Sequence, residues 1–84
     1  MKLAELRAQL EAFNLPDDTP VILARDAEGN GYSPLYIVDD ALYEAKSTYS
    51  GQMYASPEMR AAEPGQWDEA PASAIAAIFL WPTN

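Results

Sequence analysis

The 84-residue sequence contains no cysteine and no histidine. Without cysteine there is no disulfide, no thiolate nucleophile and no zinc–thiolate centre. Without histidine the commonest general base and transition-metal ligand are gone, and a Ser–His–Asp triad cannot be assembled within one chain. Positive charge is scarce as well: thirteen acids face five bases, for a net charge of −8. The cations Lys2, Arg7, Arg25, Lys46 and Arg60 are isolated from one another. Nucleic-acid binding needs clustered cations that displace phosphate counterions, so no direct binding to DNA or RNA is expected. Anionic membrane surfaces are disfavoured on the same ground. The longest apolar run, residues 74–81, falls far short of the roughly 20 residues of a spanning helix. Glu5 stands where a secretory signal would carry its apolar stretch. These features lead to the expectation of a soluble, intracellular protein.

Large aliphatic residues are few. Leu, Ile, Val and Phe together number 16, and much of the nominal hydrophobic content is 15 alanines. That is the border at which a strongly charged chain fails to fold alone. Five tyrosines and two tryptophans push back, since each buried aromatic removes roughly 150–250 Å² from water. The expectation is one domain over 1–84 with a thin core, and a homo-oligomer that buries apolar area a small monomer cannot.

Along the chain, Leu3, Leu6, Leu10 and Phe13 recur on one helical face, which predicts a helix over 2–13, ended by Asn14 and Pro16. Residues 21–25, 35–38, 41–45 and 75–81 read as strands, with Asp39-Asp40 as a tight connection and 53–55 as a short strand or bulge. Residues 26–31 form a glycine-containing loop. Residues 56–73, with Pro57, Pro64 and Pro71, read as a long loop in which Trp67 alone has an incentive to pack. The predicted class is α+β: an N-terminal helix packed on a small, mainly antiparallel four-stranded sheet.

Three segments carry side chains suited to a ligand. In 26–35, Asp26 and Asn30 offer oxygen and amide groups, Ser33 a hydroxyl and Tyr32 a ring, beside Arg25 at the end of the first strand. A calcium loop is not the expected reading there, because its twelfth position is Ile37 and the strand reading leaves no flanking helix. A phosphate loop is excluded because its Lys and Ser/Thr are missing. The second segment is Lys46, Ser47, Thr48, Tyr49, Ser50 and Gly51, the one stretch suited to an anion. The third is the C-terminal run with Trp81 and Asn84. Paired acids at 17–18, 39–40 and 68–69 are ordinary solvated turn residues. Neither catalysis, a metal nor a cofactor is expected.

The blocks Asp-Ala-Glu-Gly-Asn-Gly-Tyr-Ser-Pro-Leu at 26–35, Ser-Thr-Tyr-Ser-Gly at 47–51 and Leu-Trp-Pro-Thr-Asn at 80–84 give the chain a resemblance. With the helix and the Pro-Asp-Asp-Thr-Pro-Val entry at 16–21, it resembles small acidic proteins encoded by bacteriophages and prophages, especially of actinobacteria. The resemblance implies a phage accessory protein acting in the host cytoplasm, and counter-defence as its field.

The favoured expectation is a sponge that sequesters a small nucleotide-derived immune signal without cleaving it. Tyr32, Tyr49 or Trp81 would stack a base, and Arg25 and Lys46 would face phosphates. Ser47, Thr48 and Ser50 would donate hydrogen bonds, and Asp26 or Asn30 would take ribose hydroxyls. The connections after the first and third predicted strands would leave one sheet edge and meet. Two alternatives stand beside it. One is an acidic decoy for a host nucleic-acid-binding protein, with Asp39, Asp40, Glu44, Glu58, Glu63, Asp68 and Glu69 gathered on one face. The other is a structural or interaction protein of the phage.

Overall fold

The computed structural model describes residues 1–83. Its elements are α1 (Leu3–Phe13), β1 (Ile22–Ala24), β2 (Tyr32–Ala45), β3 (Gly51–Tyr54), α2 (Pro57–Ala62) and β4 (Ile75–Pro82). The class is α+β, an N-terminal helix with an open, mainly antiparallel sheet of four strands in which β1, β3 and β4 all pair with β2. The chain divides into two compact units, and β2 runs through both. One unit holds Met1–Ile37 and the residues from Pro82 on; the other holds Val38–Trp81.

In the first unit, the start of α1 is fixed by Glu5, whose Oε1 accepts from the Lys2 backbone N–H at 3.2 Å. Asn14 ends it in the left-handed region at φ 49°, and donates its N–H to the Glu11 carbonyl. Asparagine tolerates that conformation better than other non-glycine residues, so the helix stops where the sequence predicts. What the periodicity does not deliver is burial. No residue of α1 is buried. Leu6 is half-buried, while Leu3, Leu10 and Phe13 are exposed, Phe13 by 72%. The apolar face of this helix is thus only partly covered, at Leu6.

β1 and the start of β2 form an antiparallel hairpin, with Leu23 opposite Ser33 and Ala24 opposite Tyr32. The ladder continues past both ends, with Arg25 N–H donating to the Gly31 carbonyl and Leu35 N–H to that of Val21, each at 2.8 Å.

The largest difference from the sequence reading lies at Asp39-Asp40. The strands expected at 35–38 and 41–45 are one continuous strand of 14 residues. A two-residue hairpin needs positive φ, usually with a Gly in the pair, and Asp39-Asp40, between Val38 and Ala41, has none. Asp39 Oδ1 instead accepts the N–H of Asp40 at 2.9 Å within an extended backbone. The fourth strand of the sheet is β3, from the region expected to be a short strand or bulge.

In the second unit, β3 pairs antiparallel with the end of β2, Leu42 opposite Tyr54 and Ala45 opposite Gly51. The buried apolar residues are two alanines, Ala41 and Ala55. In the same unit Tyr43 and Phe79 pack with ring centroids 6.3 Å apart and planes tilted by 58°. β4 alternates as the pattern predicts, with Ala77 and Phe79 half-buried. Its opposite face, Ile78 and Leu80, is equally apolar and exposed.

The segment 56–73 is not structureless. Ser56 Oγ accepts from the Met59 N–H at 3.3 Å, Pro57 takes the first helical turn and Glu58 follows, giving α2. That is the residue order a helix start requires. Ser56 also becomes buried there.

Candidate functional site

The loop 26–31 is built by Asp26. Its Oδ1 accepts the N–H of Glu28 at 2.9 Å and that of Asn30 at 3.1 Å. These bonds, that from Asn30 foremost, hold its carboxyl below the usual aspartate range. Gly29 adopts φ +74°, and a Cβ there would meet the Tyr32 hydroxyl at 2.9 Å. A Cβ on Gly31 would meet Arg25 Cδ at 3.0 Å. The two glycines thus let the side chains of Tyr32 and Arg25 lie down on the loop. Four expected ligand residues, Arg25, Asp26, Asn30 and Tyr32, are brought together here. Asp26 and the Asn30 N–H are occupied in shaping the turn, and the Tyr32 side chain stays exposed. Ser33 is 2% exposed, and among the described residues its Oγ has no hydrogen-bond partner. It faces the interior, out of a ligand's reach from solvent.

The turn after β2 is likewise self-contained. Ser47 and Ser50 share a hydrogen bond between hydroxyls at 2.8 Å, and Ser47 Oγ also accepts the Tyr49 N–H at 3.2 Å. Lys46 is ion-paired with Glu44 Oε1, while Glu44 Oε2 accepts from Ser73 Oγ at 2.6 Å. Bonds from Lys46 and then Ser73 draw the Glu44 carboxyl below its ordinary range, and the same pairing raises Lys46. Thr48 and Tyr49 are exposed, Tyr49 by 91%.

The reversal expected at 39–40 is absent, and the 26–31 loop and this turn belong to different units of the chain. The loop precedes β2 in sequence and the turn follows it. What does meet the first loop's strand is the C-terminal run: Thr83 bonds to Pro34. Trp81 is exposed, and Asn84 lies outside the described residues.

The acids expected on one face all lie in 38–81. Asp39 and Asp40 are consecutive strand residues, so their side chains point to opposite faces of the sheet. Glu44 is engaged by Lys46 and Ser73, and Glu63 accepts the Trp67 indole N–H at 3.2 Å. Among the described residues no group of three or more acids is placed to hold a metal ion.

A groove of about 380 Å³ runs along α2, lined by Pro57, Arg60, Glu63, Pro64 and Trp67 among others. Sequence reasoning missed it by reading 56–73 as a loop. The order Ser56-Pro57-Glu58 was the available signal.

No helix among the described residues is long and apolar enough to cross a membrane. The molecule is thus a small α+β sheet protein with uncovered apolar faces. Compared with known families, curated proteins and solved structures, the chain matches none.

Proposed function

We propose that this is a non-catalytic interaction protein that works by burying its apolar faces against protein. The observation that carries the reading is the inversion of an ordinary core. Two alanines are the buried apolar residues, while Leu10, Phe13, Leu15, Ile75, Ile78 and Trp81 are among the large apolar side chains left exposed. Contiguous exposed apolar surface in soluble proteins marks sites of association. With the phage resemblance, the role is that of an accessory protein that associates with itself or with a host protein.

A second reading keeps one observation. Trp67 and Arg60 line the same groove of about 380 Å³, within the size range of small-ligand sites. An aromatic ring beside a guanidinium suits a stacked, anionic ligand of nucleotide type. This gives the sequestration idea a location different from the one the sequence suggested.

The discriminating experiment is binding of a hydrophobic reporter dye, set against calorimetry with nucleotide-derived ligands. Strong dye binding by the unassociated chain, or loss of dye sites on association, supports the interaction reading. A monomer that binds no dye contradicts it. Micromolar nucleotide binding abolished by Trp67→Ala would establish the second reading instead.

A further inference from the structure

We propose that Asn30-Gly31 is a self-modification site: the pair cyclises and hydrolyses, and the aspartate or isoaspartate left at position 30 loosens the turn that joins β1 to β2. The inference stands apart from the interaction reading, because it uses the 26–31 loop alone.

The sequence singles out this pair. Of the three asparagines, Asn30 alone precedes glycine, and Asn14 precedes Leu15. Cyclisation requires the next backbone nitrogen to reach the asparagine Cγ, and a side chain on that next residue obstructs the approach. Glycine has none. Asn30 is exposed, so water reaches its side chain. The Gly31 carbonyl accepts the Arg25 N–H at 2.8 Å, while among the described residues no acceptor holds the N–H of Gly31 itself. The attacking nitrogen is therefore not tied up in the hairpin.

The construction of the loop retains both members of the pair. A Cβ on Gly31 would meet Arg25 Cδ at 3.0 Å, so a shielding side chain there must displace Arg25. Asp26 uses Asn30 twice: its Oδ1 accepts the Asn30 N–H at 3.1 Å, and the Asn30 side-chain amide donates to the same carboxylate. An ionised acid at position 30 has no such donor. The residues that shape the turn are thus the ones that make it labile.

The chemistry balances with water as the one co-reactant. The Gly31 nitrogen gives up its proton and attacks Asn30 Cγ. The bond from Cγ to the side-chain nitrogen breaks, and ammonia leaves. Water then opens the succinimide ring. Cleavage between Cγ and the Gly31 nitrogen leaves aspartate on an ordinary backbone. Cleavage between the backbone carbonyl carbon of residue 30 and that nitrogen leaves isoaspartate, with the chain routed through the side chain. Either product replaces a donor to Asp26 with a second carboxylate, and like charges sharing a site oppose each other's ionised form. Isoaspartate also lengthens the backbone by an atom immediately before Gly31, whose carbonyl closes the ladder to Arg25.

The test incubates the unsubstituted protein, folded, in neutral and in mildly alkaline buffer and follows its peptides by chromatography and mass spectrometry. The expected result is conversion of the peptide holding residues 26–35 into two species of equal mass, each heavier by the exchange of an amide for an acid. Conversion should be faster in the alkaline buffer, because the nitrogen must lose its proton, and should run ahead of any change at Asn14. Asn30→Gln, which would have to close a larger ring, is expected to lose the conversion. Asn30 intact while Asn14 converts, conversion only after unfolding in urea, or conversion persisting in Asn30→Gln would each overturn the site. Amide hydrogen exchange then reads the consequence. Exchange at the Arg25 N–H should accelerate in the isoaspartate species and in Asn30→Asp, with the β2–β3 pairing unchanged. Unaltered exchange at Arg25 in the isoaspartate species would overturn the loosening of the turn.

Discussion

Thr83 gives both its backbone N–H and its hydroxyl to the carbonyl oxygen of Pro34, each at 2.9 Å. The C-terminal run is thereby fastened to the start of β2. Pro34 has no N–H to offer, so its carbonyl is the one backbone group the residue brings to that pairing. Thr83→Val keeps the shape and removes the hydroxyl bond. The expected loss is about 0.5–1 kcal/mol in urea unfolding, since the bond is solvent-exposed and a neutral hydrogen bond contributes roughly that net amount. Thr83→Pro removes the backbone bond as well and is expected to cost more.

Gly51 sits beneath the Tyr43 ring. A Cβ there would approach the Glu44 carbonyl oxygen to 2.6 Å and overlap the ring's Cζ and hydroxyl. Gly51→Ala should destabilise the β2–β3 pairing by about 1–3 kcal/mol, the usual cost of overpacking. Thermal unfolding of the variant measures it, and an unchanged midpoint would contradict this placement of the ring.

Ser56 caps α2 through its bond from the Met59 N–H. Ser56→Ala is expected to cost about 1 kcal/mol. Because Trp67 bonds to Glu63, the C-cap residue of that helix, its fluorescence should shift as the helix frays. Ser56→Asp, which keeps a capping oxygen, should restore most of the loss.

The Glu44 carboxyl is held in its charged form by Lys46 and then by Ser73. A group whose folded pKa is lowered stabilises the fold above its unfolded pKa, and that contribution is lost as pH falls through the folded value. A carboxyl titration by NMR should therefore place Glu44 below the ordinary glutamate value of 4.5. Lys46→Met should move it up further than Ser73→Ala, following the order of the two causes. Lys46 is raised by the same pair, so its contribution is present at neutral pH and lost only in the alkaline range above 10.5.

The parts of this fold that were legible in the sequence are those set by local chemistry. The stop at Asn14, the Asp26–Gly31 loop and the alternation in β4 each follow from the residues in them. Two local signals were present and misread. Asp39-Asp40 has the acids of a turn but no glycine for a tight reversal, and the pair continues the extended run that Tyr36-Ile37-Val38 begins. Ser56-Pro57-Glu58 was overshadowed by the prolines after it. The site was less legible for a different reason. Hydroxyls and acids at 26–35 and 47–51 were available as ligand groups on paper, yet Asp26, Ser47 and Ser50 are consumed in shaping their own turns. The spacing in α1 identified its apolar face correctly and carried no information on what covers it, since that is decided by surfaces distant in sequence.

The central claim is that this chain completes its burial by association through its exposed apolar faces. Sedimentation equilibrium of the unmodified protein at physiological salt, from micromolar concentration upward, tests it most directly. The account predicts a mass of at least twice the 9.2 kDa of one chain, with dye-accessible apolar surface falling as the larger species forms. A species of 9.2 kDa at every concentration, with no dye bound, would contradict it.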